Sequence, residues 1–129
     1  MRYIGCDIAS NVVAYNNQHF AGFRQLDITT HEPPSGDIVA VREVLQHLSN
    51  DAISRALDNL RRRFKAAIIT ESVFTEPSAP NLDMVSGRWT RDRQRSGVYI
   101  DLPPFNLLDE CRRVYPSGEM HRTTLVSLV

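Results

Sequence analysis

Apolar positions at Ile53, Ala56, Leu57, Leu60 and Phe64 recur at the i, i+3, i+4, i+7 spacing of an amphipathic helix. Arg55, Asp58, Asn59, Arg61 and Arg62 fall on the other side of that helix. Ser49 or Asn50 suits its N-cap and Asp51 its first turn, while Arg61, Arg62, Arg63 and Lys65 gather at its last turn, where cations complement the dipole. The pattern changes on both sides of the helix. Val39-Ala40-Val41 before it and Ala66-Ala67-Ile68-Ile69-Thr70 after it are short, continuously apolar runs, the signature of strands covered on both faces. Strand, helix and strand in that order predict a parallel crossover and an α/β domain.

The rest of the chain supplies neighbours for that unit. Tyr3 to Ile8 is an apolar run holding Asp7 near its end, followed by a helix through Val12, Val13, Tyr15 and Asn16 that Ser10 or Asn11 can cap. Phe23 to Thr29 reads as a second strand, again with an acid, Asp27, near its end; Pro33, Pro34 and Gly36 then mark a loop. From Glu71 to Gly97 no periodicity persists, which marks a functional loop or lid, or else a disordered connection. Val98-Tyr99-Ile100-Asp101-Leu102 alternates like a strand and stops at Pro103-Pro104. Leu107, Leu108, Cys111 and Val114 fit a short helix ended by Pro116-Ser117-Gly118, and Thr123 to Val129 forms a last β-rich strand. About six strands are expected, with no repeat and no low-complexity tract.

At 129 residues the chain is one domain, 1–129, with enough length for a core. Fifteen basic and fifteen acidic residues cancel, so the long-range field that drives non-specific nucleic-acid binding is absent, and any basic patch must be local. Cys6 and Cys111 have no CxxC or companion histidine spacing, which argues against a zinc site or disulfide framework and for buried, reduced thiols. No run approaches membrane-spanning length and no charged leader precedes the first strand, so a cytoplasmic protein is expected.

The candidate chemistry lies where apolar runs end. Arg42, Glu43 and His47 follow the strand at Val39, on the edge where open α/β sheets place ligands. Asp7 can accept hydrogen bonds from both hydroxyls of a ribose, or can cap the helix that follows it. Asp27 can take a hydrogen bond from an adenine amino group, or can anchor its own turn. His47 can act as a base near neutral pH or as a structural hydrogen-bonding residue.

Four stretches together resemble the class I S-adenosylmethionine-dependent methyltransferases of Rossmann-like fold: Tyr3 to Ile8 with its helix, Phe23 to Ile28, Asp37 to Leu48, and Ala66 to Thr70. A weaker match, Asn81-Leu82-Asp83 with Gly87-Arg88 and Leu102-Pro103-Pro104-Phe105, resembles bacterial members acting on small molecules or sugars. The resemblance implies a mostly parallel sheet with an antiparallel C-terminal strand, S-adenosylmethionine as cofactor, and methyl transfer to a small-molecule acceptor. It places Asp7 and Ile8 at the ribose, Asp27 and Ile28 at the adenine, and Val41 and Arg42 beside the methionine, with Glu43 and His47 toward the substrate as catalytic candidates. The Asp/Glu-x-Gly-x-Gly loop of that family, with its strand and helix, would precede Tyr3, and no such glycine pattern occurs in the sequence. The sheet is therefore expected to lack its central strand. The strands beginning at Tyr3 and Asp37 must then pair directly or leave open edges; open edges predict a homo-oligomer if the chain is complete, the alternative being a truncated piece of a longer enzyme.

Two other functions compete with this one. A non-catalytic methyltransferase-like module could act through protein association at its open sheet edges. Arg88, Arg91, Arg93 and Arg95 around Trp89 could bind nucleic acid by stacking, an unlikely partner given the zero net charge and the nearby Asp83 and Asp92.

Overall fold

The computed structural model describes residues 2–116 and 120–129; part of the stop expected at Pro116-Ser117-Gly118 lies outside them. Among these residues there are six strands and two α-helices: β1 (Gly5–Asp7), α1 (Ser10–His19), β2 (Phe23–Gln25), β3 (Ile38–Arg42), α2 (Asn50–Arg61), β4 (Ala66–Ser72), β5 (Cys111–Pro116) and β6 (His121–Ser127). They form two sheets. β1 and β2 pair in parallel, and a separate four-stranded sheet runs in the order β3-β4-β6-β5. β3 and β4 are parallel, and β6 is antiparallel to both of its neighbours, so the expected mostly parallel α/β sheet with an antiparallel C-terminal strand is present. β1 and β3 do not pair with each other; each keeps an edge without a strand partner among the described residues.

α2 forms as its spacing predicts. Ser49 is the N-cap, its side chain accepting the Ala52 N–H at 3.2 Å, and Ile53, Ala56, Leu57 and Leu60 are buried. They pack with Val41 of β3, Ala67 and Ile69 of β4, and Val126 of β6, residues that share one face of the four-stranded sheet. The arginines at the end of α2 hold neighbouring segments: Arg61 pairs with Glu110, Arg62 and Arg63 with Glu32, and Lys65 with Asp37. Asn59, expected on the outer side, is instead buried, and its Nδ2 donates to the Ile28 carbonyl at 2.7 Å.

Only one face of this sheet is covered. Ile38 is 61% exposed and Ile68 39% exposed on the opposite face, so these apolar runs are not the doubly buried strands that their composition suggests. α1 provides no cover, because none of its residues is buried and Tyr15 is 63% exposed. Its cap also differs from expectation: Ala9 occupies the N-cap position, and Asp7 Oδ1 accepts the Ala9 N–H at 2.8 Å. Nor are the thiols buried, Cys6 being exposed and Cys111 half-buried.

Two further expectations are corrected between β4 and β6. Residues 98–102 form no strand, although Val98, Tyr99 and Ile100 are buried. The Tyr99 N–H and C=O, which a neighbouring strand would satisfy, are bound by the single side chain of Asn81 at 2.7 and 2.8 Å. Cys111 and Val114 belong to β5 and not to a helix, because their backbone is drawn into a ladder with β6. The long segment after β4 is anchored by Asn81, Arg91 and Ser96, all buried. No helix among the described residues is long and apolar enough to cross a membrane.

Candidate functional site

β3 delivers the chain to a tight turn at the carboxyl end of the parallel strands. Glu43 takes a left-handed conformation there (φ +53°), held by its N–H bond to the Thr70 carbonyl at 2.8 Å. That conformation costs a non-glycine residue on the order of 1–3 kcal/mol and persists only where its surroundings fix it. The next three N–H groups, of Val44, Leu45 and Gln46, all point at the Glu71 carboxylate of β4, at 3.1, 2.8 and 3.0 Å. Glu71 lies on the covered face of β4, in alternation with Ala67 and Ile69, and is 2% exposed. Burial pushes its pKa up to about 7, against the three N–H bonds, which favour the charged form.

Arg91 grips the other end of the turn. Its side chain is fully buried, one guanidinium nitrogen donating to the Leu48 carbonyl at 2.6 Å and another to the Leu82 carbonyl. Burial lowers its pKa, while the charges of Asp83 and Glu71 oppose that effect. Gly87 donates to the His47 carbonyl, Ser49 N–H to Ser86 Oγ, and Asn50 N–H to Asp83 Oδ1, at 3.0, 2.8 and 2.7 Å. A shallow hollow lined by Ser49, Asp83, Met84, Val85 and Ser86 opens beside these contacts. Among the described residues, Gln46 Oε1, Arg91 Nε and Asp92 Oδ1 are buried with no bonding partner.

On the uncovered face, Glu43 meets a residue that sequence reasoning did not single out. Glu43 Oε1 lies 3.1 Å from Nε2 of His121, the first residue of β6, and 3.7 Å from Arg42 Nε. Thr70 and Thr123 join their hydroxyls at 2.8 Å across β4 and β6, two residues along the same face from His121. On the covered face Arg122 pairs with Asp101. Only the strand register brings His121 to Glu43, 78 positions earlier in the chain, which is why no local motif announces it. Glu71 carried a readable signal, an acid directly after a buried apolar run, of the same kind as Asp7.

The other predicted residues are more dispersed. Asp7 ends β1 and Ile8, 63% exposed, accepts the Gln25 side chain on its carbonyl at 3.0 Å. Asp27 lies beyond β2 in a turn, its Oδ1 taking the N–H and hydroxyl of Thr29 at 2.9 and 2.7 Å; the Thr29 hydroxyl bond is the main reason its pKa is lowered. The backbone joins the two segments, Leu26 N–H donating to the Asp7 carbonyl at 2.9 Å. Ile28 packs against the core, Val41 is buried within it, and Arg42 is exposed. The His47 ring makes no hydrogen bond among the described residues, so the structure joins Glu43 to His121 and not to His47. The arginine cluster is divided: Arg88 and Arg93 lie over the Trp89 ring at 4.3 and 3.3 Å, whereas Arg91 is buried.

No family profile and no curated protein matches the sequence. Solved structures do match its fold. TehB from Haemophilus influenzae superposes with a TM-score of 0.63 at 14% identity, over 95% of this chain and 48% of that one. Human N-acetylserotonin methyltransferase, crystallised with S-adenosylmethionine, gives 0.61 at 17% identity, over 95% and 39%. The pyocyanin biosynthetic protein PhzM gives 0.55 at 17% identity, over 91% and 38%. The chain therefore has a methyltransferase fold, and it spans less than half the length of these three proteins.

Proposed function

We propose that this chain takes part in S-adenosylmethionine-dependent methyl transfer to a small-molecule acceptor. The observation that carries the reading is the methyltransferase fold itself, in which Asp7 and Asp27 come at and beyond the ends of β1 and β2, and Glu43 meets His121 just beyond β3. Asp7 would hold the ribose through the oxygen that Ala9 leaves free, with Ile8 beside it, and Asp27 and Ile28 would flank the adenine. Val41 is buried, so only its backbone and Arg42 could approach the methionine end. The fit is confined to the adenosyl half, since no glycine-rich backbone lies between β1 and β3 to cradle the methionine.

When bound, the cofactor supplies an activated methyl group on a sulfonium. The chain's own residues have to orient the acceptor and take up its proton, since in-line transfer depends on alignment. N-acetylserotonin methyltransferase, named for a small-molecule acceptor, and the N-terminal domain of EvdMO1, crystallised with S-adenosylhomocysteine, are the precedents for acceptor and cofactor. Calorimetric titration of the folded chain with S-adenosylhomocysteine tests the reading. A binding isotherm that weakens in Asp7→Ala is expected, and no heat from a folded sample rejects the catalytic version.

A second reading, association with another copy of the chain, has its own observation. β1 and β3 each keep an open edge among the described residues, and Ile8, directly after β1, and Ile38, the first residue of β3, are exposed apolar residues. Sedimentation over a concentration series is expected to show a homo-oligomer, and a monomer at the highest concentration removes this reading.

A further inference from the structure

We propose that His121 is the proton acceptor of this site and that Glu43 is the positioning residue that sets its tautomer. The inference deepens the methyl-transfer reading and rests on it for the identity of the reaction, but its geometry is independent of any cofactor. Glu43 Oε1 is 3.1 Å from His121 Nε2. A carboxylate accepts only, so a bond formed across this short distance would keep the imidazole proton on Nε2 and leave the Nδ1 lone pair to take another. The pair is only partly covered, with side-chain exposures of 36% for His121 and 40% for Glu43, so a small molecule can reach it.

Three features constrain the residue that carries the carboxylate. Glu43 is locked in a left-handed conformation by its bond to the Thr70 carbonyl, Arg42 Nε lies 3.7 Å from the same oxygen, and the turn that follows is tied down by Glu71. Strain held at a residue on the ligand edge of an α/β sheet is a usual mark of a functional position. The charged groups around the dyad are Arg42 and Glu43 from β3 and its turn, Glu71 from β4, and Arg122 with Asp101 on the opposite face.

The acceptor class is a neutral hydroxyl or amine, because transfer of a methyl cation to such a group releases one proton. The acceptor O–H or N–H bond breaks, and its proton passes to Nδ1. The freed electron pair stays on the acceptor heteroatom to form the new bond to carbon, while the methyl–sulfur bond of the sulfonium would break with its electron pair left on sulfur as a neutral thioether. The imidazolium so formed stays beside Glu43, whose negative charge balances it.

The test uses the intact chain and needs no acceptor. Long-range ¹H–¹⁵N correlation at about pH 8, where a free imidazole is neutral, reads the tautomer of each histidine. Acylation by diethyl pyrocarbonate, followed by mass spectrometry, reads the nucleophilicity of each ring. The expected results are an Nε2–H tautomer for His121 in the parent, kept in Glu43→Gln and lost in Glu43→Gly. His121 acylation should slow about tenfold once the charge is removed. Glycine suits the positive φ, so Glu43→Gly removes the carboxylate without straining the turn. An Nδ1–H tautomer in the parent, or an acylation rate unchanged in both variants, overturns the proposal. Titration of the same proteins with S-adenosylhomocysteine separates the two readings: absence of binding in the parent rejects the methyl-transfer function, while the tautomer and acylation results decide the dyad alone.

Discussion

Replacing Glu71 by glutamine removes a buried titratable group while keeping its shape, and the structure fixes how the effect depends on pH. The folded-state pKa of Glu71 is raised to about 7 from the ordinary 4.5, chiefly by burial. The folded protein therefore binds more protons than the unfolded chain between those values, and stability falls as pH rises through that window. At 1.36 kcal/mol per pH unit, the interval from 4.5 to about 7 corresponds to a loss of about 3 kcal/mol, complete above the folded value. A side-chain amide cannot ionise, so this loss is absent from Glu71→Gln. The variant carries a constant cost instead: if its oxygen keeps the Val44 and Leu45 N–H groups, its amide donors face the Gln46 N–H. An unmet pair of buried donors costs roughly 1–3 kcal/mol.

Urea unfolding of both proteins between about pH 5 and pH 8 reads the difference. With a urea dependence of ~1.5 kcal/mol per molar, about 3 kcal/mol is a midpoint change on the order of 2 M. Subtracting the variant's curve from the parent's removes every other titrating group that the two share. The parent should be the more stable at acidic pH, and the gap should close or reverse near neutrality. A gap that stays constant across the range refutes the argument, for it would mean that the three N–H donors and Arg91 hold the carboxylate ionised throughout.

Other outcomes follow from single contacts. Asn81→Ala removes three bonds, to Tyr99 N–H, Tyr99 O and Pro103 O, and should cost about 3 kcal/mol in urea unfolding and open residues 73–106 to limited proteolysis. Leu60→Ala, at a fully buried core position, should cost roughly 2–5 kcal/mol by the same measurement. Gly97→Ala should be destabilising, since a Cβ there would lie 2.5 Å from the Ser72 carbonyl oxygen and 2.7 Å from Val73 Cα, backbone atoms that cannot yield; a loss under about 0.5 kcal/mol would contradict the close approach. Amide exchange should be fastest in β1, α1 and β2, because that unit has no buried helix residue, and strong protection there would show that something covers it.

How far the sequence could be read depended on where each residue's partners lie. α2 was legible because Ser49, Ile53, Ala56, Leu57 and Leu60 carry their pattern within one helix. β3 and β4 were legible as strands, but their apolar runs overstated their burial, since composition does not reveal that one face lacks cover. Tyr99 alternates with its neighbours as a strand residue does, yet Asn81, 18 positions earlier, takes its backbone bonds. At the site, Glu43 and the acids Asp7 and Asp27 were visible because each follows an apolar run. His121 was not, because its role arises from pairing Ser72 with His121 across β4 and β6.

The two sheets and the site are linked by one feature of the fold. The proposed proton acceptor His121 and its positioning residue Glu43 belong to the four-stranded sheet and the turn after β3, which Glu71 holds. The two acids proposed to hold the adenosyl group belong to the β1–α1–β2 unit, which shares no strand pairing with that sheet and contributes no buried side chain from its helix. The two units meet through contacts such as Asn59 Nδ2 of α2 with the Ile28 carbonyl. A ligand bridging Asp7 and Glu43 would have to fix the relative position of two poorly joined units, and part of its binding energy would go into that ordering. A strand or second copy seated on the β1 and β3 edges would fix the same geometry beforehand, so whatever covers those edges should also tighten S-adenosylhomocysteine binding. Thermodynamic reciprocity then requires that S-adenosylhomocysteine strengthen the association by the same factor. Sedimentation with and without the ligand reads that factor directly, and an association constant indifferent to a ligand that binds would show that the edges and the site are uncoupled.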